Sequence, residues 1–222
     1  MSNPTAINEA FELMEKLIEY RYDKPLHHQL MKVAEYSMLD VNVLLLIHHM
    51  AKTSEGGILE IGSFLGASTV AAGMGVRASG QSKKFISIEP GGPLKDHRLA
   101  TKNIFRDLTR NVARAGLLES VNLINGSSFD EKTISQVREQ FGPGEVGLFI
   151  FDADWNVRRD IDCYGDRLAH NCWVVIDDYI SATEKAGPIR TQVDGLVAAG
   201  RLMALGFYGW GTWVGRWSCE PR

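Results

Sequence analysis

The 222-residue sequence has only three cysteines, and they lack the Cys-x-x-Cys spacing of a zinc or redox motif. Cys163, Cys172 and Cys219 are an odd number, which favours a reducing compartment over a disulfide framework. The longest apolar run, residues 43–47, is far shorter than the roughly 20 residues that cross a bilayer. Residues 1–15 also lack the apolar core of a signal peptide. We therefore expect a cytoplasmic protein.

Excess charge of one sign is also missing, since the formal net charge is −3. A nearly neutral chain has no bulk attraction to nucleic acid or to an anionic membrane, so we expect neither partner. The pairs His27-His28 and His48-His49 do not indicate zinc, because adjacent side chains on a helix point about 100° apart and cannot share one ion.

Residues 58–70 lack both the G-x-G-x-x-G order of a dinucleotide site and the lysine of a phosphate-binding loop. What is present is an apolar strand, Ile58 to Ile61, that runs into Gly62 and Gly66 and then into a helix starting near Ala67. Glycines allow a tight turn and a close approach to a ligand. The unpaired N–H groups of the helix start then face the crevice above the strand, where open α/β sheets bind small molecules.

The rest of the chain predicts one domain over residues 1–222. Helices occupy residues 1–55, one starting near Asn3-Pro4 and a second region over 26–52 broken near Asp40. Strands then alternate with helices over 56–222, including a long helix over 95–115, and the alternation in 203–217 predicts two antiparallel strands. This count gives a doubly wound, Rossmann-like α/β sheet of seven strands with an N-terminal helical extension.

Carboxylates follow several of the predicted strands. Glu89 ends the second strand, where an acid can accept hydrogen bonds from ribose hydroxyls. Asp152 follows a strand over 146–151, and Asp177 and Asp178 follow a strand over 173–176. Several carboxylates in one crevice raise each other's pKa unless a cation shares them, and oxygen ligands suit Mg²⁺, with Mn²⁺ or Ca²⁺ as alternatives. Asp177 and Asp178 can both contribute only if their strand has already ended, because neighbours on a strand point to opposite faces.

Five segments together resemble the class I S-adenosylmethionine-dependent methyltransferases, in particular their metal-dependent O-methyltransferases. The relatives meant are catechol and caffeoyl-coenzyme A O-methyltransferases and the sugar O-methyltransferases of natural-product pathways. The resemblance covers about Ile58 to Ile180. The segments are Gly62–Ser68, Ile88–Glu89, Ala115–Ser128, Phe151–Asp152 and Ile176–Asp178.

The resemblance implies roles for individual residues. It assigns the metal to Asp152, Asp177 and Asp178, the ribose to Glu89, and the adenine region to Ser127 and Ser128. The full set of expected cofactor-binding residues is Glu60, Gly62, Ser63, Gly66, Ser68, Glu89, Gly126, Ser127, Ser128, Asp152 and Trp155. The implied reaction transfers a methyl group from S-adenosylmethionine to a hydroxyl of a small molecule, in natural-product metabolism.

One position departs from these relatives. Catechol-type enzymes carry a lysine three residues after the metal aspartate, and many natural-product relatives carry histidine, but this chain has Trp155. The catalytic residues expected are therefore Asp152, with Asp154 and His97 as candidate bases, unless the metal alone activates the acceptor. Trp155 would wall the pocket.

Three other functions remain open from the sequence. One is a methyltransferase without a metal, in which an aspartate is the base, and another is a catalytically silent protein that binds S-adenosylmethionine. The third is a nicotinamide oxidoreductase, which the glycine spacing disfavours. The acceptor pocket is expected to draw on the N-terminal helices and on Ser181 to Thr191. Aromatic terminal strands and amphipathic N-terminal helices favour a homodimer.

Overall fold

Seven strands form one mixed sheet in the computed structural model of the protein, which describes residues 4–218. Asn3 and Cys219, named in the predictions above, lie outside the described residues. The strands are β1 Gly57–Ile61, β2 Phe85–Glu89, β3 Asn122–Asn125, β4 Val146–Phe151, β5 Leu168–Ile176, β6 Leu202–Tyr208 and β7 Thr212–Trp217.

The sheet order is β3-β2-β1-β4-β5-β7-β6. The first five strands in this order are parallel, and β7 pairs antiparallel with both β5 and β6. This confirms the predicted seven-stranded, doubly wound sheet with a closing antiparallel pair. The chain leaves β1 toward β2 on one side and later returns to the other side of β1 with β4, so a crevice opens between the loops that follow β1 and β4.

Eight helices cover the two faces of the sheet in residues 4–218. Three precede the first strand, as predicted, and five lie between strands. They are α1 Pro4–Tyr22, α2 Lys24–Ala34, α3 Val41–Thr53, α4 Ala67–Ser79, α5 Ile104–Arg114, α6 Glu131–Gln140, α7 Val157–Tyr164 and α8 Ala186–Ala198. None of them is both long and apolar enough to span a membrane.

Alternation along the strands builds two apolar cores. Ile58 of β1 faces the core under α1 to α5, whereas its neighbour Leu59 faces the core under α6 to α8. Leu148 and Phe149 of β4 divide in the same way. A strand buried on both faces is expected to be apolar throughout, which holds for β4, and β1 departs from this pattern only at Glu60.

The helix predicted over 95–115 is shorter than expected. Helix α5 begins only at Ile104, because the side chain of Asn103 accepts a hydrogen bond from the backbone N–H of Arg106 and caps the helix there. Residues 92–103 instead form a loop closed by an antiparallel bridge between Leu94 and Thr101. The break predicted near Asp40 is confirmed, since Asp40 caps α3 by accepting from the N–H of Asn42.

Candidate active site

The turn after β1 brings the carboxyl ends of β1 and β4 into contact, and no side chain lies between them. Gly62 has a φ of 84°, and a Cβ there would lie 2.0 Å from the carbonyl oxygen of Asp152. The N–H of Asp152 in turn donates to the carbonyl of Ile61 at 2.9 Å. Glycine is therefore needed at position 62 for the tips of β1 and β4 to meet at the crevice.

Glu89 ends β2 beside this turn. Its two carboxylate oxygens each accept one backbone hydrogen bond of 2.8 Å, from Phe64 and from Gly91. Burial raises the pKa of Glu89, and these N–H donors act against that rise by stabilising the carboxylate. The carboxylate is thus fixed in orientation, while its oxygens keep lone pairs for further donors.

Glu60 lies under the turn, fully buried in β1. Its Oε2 atom accepts hydrogen bonds from the hydroxyls of Thr69, at 2.6 Å, and Ser87, at 2.7 Å. Burial raises the pKa of Glu60, and the hydroxyl donors oppose that rise. Ser87 also bonds to the hydroxyl of Ser63, so this polar cluster connects the turn to β1, β2 and α4.

A cavity of about 470 Å³ opens above these strand ends, within the size range of small-molecule sites. It is bounded by the ends of β1, β2, β3 and β4 and by the loops before α3 and α8. Of the predicted site residues, those that line it are Gly62, Glu89, Ser127, Ser128, Asp152 and Asp154. Ser63 and Ser68 line a small adjoining recess that Asp152 also borders.

One wall of this cavity combines an aromatic ring and a fixed guanidinium group. The Arg159 guanidinium carbon lies 3.9 Å from the centre of the Phe129 ring. The same group binds both carboxylate oxygens of Asp154, at 2.9 and 3.2 Å. Burial alone would raise the pKa of Asp154, but the bonds from Arg159 prevail and lower it. Sequence reasoning missed Arg159 and Phe129, because no local spacing signals that they stack.

Asp152, Asp177 and Asp178 converge beside the cavity. Each offers a carboxylate oxygen, and these oxygens lie within 4.8 Å of one another. Burial strongly raises the pKa of Asp152, and the negative charge of Asp177 raises it further. The pKa of Asp177 is also raised by burial, although a 2.5 Å hydrogen bond from the Thr212 hydroxyl favours its charged form. We name Asp152, Asp177 and Asp178 the acidic trio.

The two consecutive aspartates reach the same point because β5 ends before them, at Ile176. Asp177 is still held to β4 by its N–H, which donates to the Phe151 carbonyl at 2.9 Å. Asp178 then adopts a φ of 57°, in the left-handed region, and this turn brings its carboxylate back toward Asp177. The strand has thus ended before Asp177, which is the condition under which both aspartates can contribute to one site.

Lys185 brings a positive charge to the acidic trio from the segment before α8. Its ammonium nitrogen lies 3.8 Å from Asp178 Oδ2 and donates a 2.7 Å hydrogen bond to the Ala153 carbonyl. It also lines the 470 Å³ cavity. Sequence reasoning did not select Lys185 itself, since a single lysine among small polar residues has no informative spacing.

A second cavity, of about 240 Å³, adjoins the acidic trio on the side away from β1. Its walls come from the α2–α3 loop, the segment after β5 and the β6–β7 turn. Apolar side chains and the acids share this space. The lining residues include Met38, Asp177, Asp178, Ile180, Trp210 and Thr212.

Several predicted residues lie away from both cavities. His97 is exposed on the loop before α5, where its Nδ1 accepts from the N–H of Leu99. Trp155 is 54% exposed and does not line either cavity. Gly66 packs against α5, since a Cβ there would lie 2.7 Å from a Leu108 methyl group. Gly126 faces Thr133 of α6 in the same way.

A larger cavity, of about 540 Å³, lies at the opposite end of the parallel strands, near the starts of β2 and β3. Its lining includes Arg77, Lys84 and Glu119 but none of the acidic trio. In a doubly wound sheet the ligand site is at the carboxyl ends of the strands. We therefore place the candidate active site at the 470 and 240 Å³ cavities.

The fold and the site define a doubly wound α/β protein with a small-molecule crevice. A family model described as a methyltransferase domain matches residues 59–179, more than half of the chain. The chain therefore belongs to this methyltransferase family, and the family resemblance seen in its motifs is confirmed. No curated protein matches the sequence.

Solved structures show the same fold at low sequence identity. The O-methyltransferase of Bacillus cereus in complex with SAH superposes with a TM-score of 0.59 at 16% identity, covering 88% of this chain and 91% of that one. TomG of Streptomyces achromogenes, an O-methyltransferase in tomaymycin synthesis solved with SAM, gives 0.63 at 15%, covering 86% and 89%. SAH-bound PaMTH1 of Podospora anserina, a methyltransferase, gives 0.62 at 15%, covering 99% and 97%.

Proposed function

We propose that this protein is an S-adenosylmethionine-dependent, divalent-metal-assisted O-methyltransferase that acts on a hydroxyl of a small molecule. The observation that carries the proposal is the convergence of the acidic trio beside a cavity bordered by Gly62, Glu89 and Ser127. The fold shared with SAH-bound and SAM-bound O-methyltransferases supports it.

The 470 Å³ cavity fits the cofactor. Glu89, held by two backbone N–H groups, is oriented to accept hydrogen bonds from both ribose hydroxyls. Ser127 and Ser128, at the end of β3, offer hydroxyl and backbone groups to the adenine edge. Gly62 lets the tips of β1 and β4 meet, and with Asp152 it lines the part of the cavity that we assign to the methionine end. S-adenosylmethionine supplies an electrophilic methyl group, so the task of these residues is positioning.

The acidic trio fits a hard divalent cation. All its ligand atoms are carboxylate oxygens, which suit Mg²⁺ and also Mn²⁺ or Ca²⁺. Thr212 occupies one oxygen of Asp177 and leaves the other for a ligand. Burial and the charge of Asp177 raise the pKa of Asp152, and a bound cation would offset both effects. When bound there, a divalent cation lowers the pKa of an acceptor hydroxyl.

The 240 Å³ cavity is the proposed acceptor pocket. It shares Asp177 and Asp178 with the acidic trio, and Met38, Ile180 and Trp210 give it apolar walls. Neither side chain expected as a base gains support from its position, because Asp154 is paired with Arg159 and His97 is remote from both cavities. The proposal therefore relies on cation activation and on positioning. A role in natural-product metabolism is supported by the likeness to TomG.

The test measures methyl transfer and cofactor binding separately. Transfer of a labelled methyl group to a panel of phenols and sugars is assayed with Mg²⁺, after EDTA treatment, and after Mg²⁺ is added back. We expect transfer that EDTA abolishes and Mg²⁺ restores, with S-adenosylmethionine binding by calorimetry in all three conditions. Full activity in EDTA would select a metal-independent enzyme. Cofactor binding without transfer to any acceptor would select a silent binding protein.

The outward face of α1 supports a homodimer, which we also propose. Apolar side chains that do not reach the core form a row along this face, and a two-fold axis pairs such a row with itself. The row comprises Ile7, Phe11, Met14, Ile18 and Tyr22. We expect Phe11→Glu to give a monomer in light scattering, whereas Leu118→Glu, an equally polar change at an exposed position elsewhere, leaves the mass unchanged. A monomeric wild-type protein would refute the proposal.

A further inference from the structure

Lys185 brings an ammonium group to the acidic trio from outside the two strands that supply the trio. This residue precedes α8, yet its ammonium group turns back toward the ends of β4 and β5. It donates to the Ala153 carbonyl, directly after the first member of the acidic trio, and lies 3.8 Å from the carboxylate of the last member. One side chain thus connects both strands that supply the trio.

Charge balance gives this position a consequence. Three carboxylates whose oxygens lie within 4.8 Å of one another repel strongly, and Lys185 provides one positive charge against them. The Lys185 charge pulls the pKa of Asp152 downward, against the effects of burial and of Asp177. No other lysine or arginine in residues 4–218 forms an ion pair with a member of the trio.

We infer that Lys185 is a counter-ion of the acidic trio. Its charge stabilises the trio when no cation is bound, and it lowers the affinity of the trio for divalent cations. This inference rests on the proposed function, in which the trio binds the metal. A unit charge one coordination shell away from a divalent ion, at the dielectric constant of water, changes the ion's affinity about tenfold by Coulomb's law. Lys185 is thus a residue that tunes metal binding.

A purely structural role makes a different prediction. If Lys185 only ties the segment before α8 to the β4–α7 loop through the Ala153 carbonyl, its removal loosens the site, and metal affinity falls or stays constant. If it is a counter-ion, removal of its charge raises the affinity. The sign of the change therefore separates the two roles.

The experiment titrates the metal-free full-length protein with Mn²⁺ alone and follows free Mn²⁺ by electron paramagnetic resonance. Lys185→Gln removes the charge and keeps a hydrogen-bond donor, and Lys185→Arg keeps the charge. Lys52→Gln makes the same charge change at an exposed site in the last turn of α3. Circular dichroism checks that each variant is folded.

We expect Lys185→Gln to bind Mn²⁺ about tenfold more tightly than the wild type, and the gain to shrink as salt is raised. Lys185→Arg and Lys52→Gln should match the wild type within twofold. Equal or weaker binding by Lys185→Gln would overturn the inference and leave the proposed metal site standing. Absence of Mn²⁺ binding in every protein, with Asp178→Asn as the negative control, would overturn the proposed metal site and the inference with it.

Discussion

The two halves of the candidate active site are built by different means. The half that we propose binds the adenosyl group, here called the adenosyl half, comprises Gly62, Glu89 and Ser127. It depends on backbone geometry, with a glycine turn and a carboxylate fixed by two N–H groups. The acidic half is the trio itself, whose carboxylates are crowded and only partly compensated by Thr212 and Lys185. Under the proposed function, the backbone of the fold would set the position of the cofactor, whereas reactivity would depend on the cation held by the acidic half.

Replacement of one member of the acidic trio should have the largest effect on methyl transfer and should leave the adenosyl half unaffected. We expect Asp177→Asn to lower methyl transfer by about 10³-fold, since a bound metal contributes several kcal/mol of transition-state stabilisation. Asp177 does not line the 470 Å³ cavity, so S-adenosylmethionine affinity in calorimetry should change by less than threefold. Loss of both properties together would show that the two halves are not independent.

Replacement of the glycine at the junction of the halves should destabilise the protein. A Cβ at Gly62 would meet the Asp152 carbonyl at 2.0 Å while φ stays at 84°, so we expect Gly62→Ala to cost about 3 kcal/mol in urea unfolding. Gly80→Ala is the matched control, because its φ is 68° but nothing lies within 4 Å, and it should cost about 1 kcal/mol. Equal costs would refute the steric argument.

Removal of the charge on Glu89 tests the adenosyl half alone. Glu89→Gln should raise the Kd for S-adenosylmethionine about tenfold to thirtyfold, as expected when a charged hydrogen-bond acceptor becomes neutral. Mn²⁺ affinity should not change, since Glu89 is not a member of the acidic trio. Glu145→Gln, at the opposite edge of the sheet, serves as the control. An unchanged Kd in Glu89→Gln would remove the ribose assignment.

A pH series should distinguish the scaffold from the site. Burial lowers the pKa of His48 in α3 to about 4 from 6.5, so between these values the unfolded state binds a proton that the folded state does not. Stability therefore falls as pH drops from 6.5 to 4, by at most about 1.4 kcal/mol per pH unit for this group. His48→Gln should reduce that dependence, to which His49 also contributes because burial lowers its pKa to about 4 as well, whereas His28→Gln, at an exposed position, should leave it unchanged. Identical slopes in both variants would contradict the assignment.

The adenosyl half could be predicted from sequence because its signals are local. An apolar strand that ends in glycine, and an acid at the end of the next strand, each determine their own geometry within a few residues. For the acidic half, the sequence predicted only that the carboxyl ends of neighbouring strands, and the acids that follow them, lie close together. Lys185, Arg159 and Phe129 escaped prediction because their contacts join segments that lie far apart in the chain.

The predicted start of helix α5 was wrong for the same physical reason. The segment 95–103 has helical composition, but Arg98 donates to the backbone carbonyls of Glu35 and Ser37, which holds the loop against the α2–α3 connection. Thr101 binds Asp107 and pairs with Leu94, so tertiary contacts replace the first turns of the expected helix. Propensity is a weak guide where such long-range bonds are available.

The β6–β7 turn touches two other segments with almost no space between them. A Cβ at Gly209 would lie 2.6 Å from Asp40, and one at Gly211 would lie 2.0 Å from the carbonyl oxygen of Ile180. Three chain regions that share no strand of the parallel sheet thus form the rim of the smaller cavity. Because none of them carries Gly62 or Glu89, the proposed function implies that changes in these loops would alter the acceptor pocket and leave the residues proposed to bind S-adenosylmethionine unchanged.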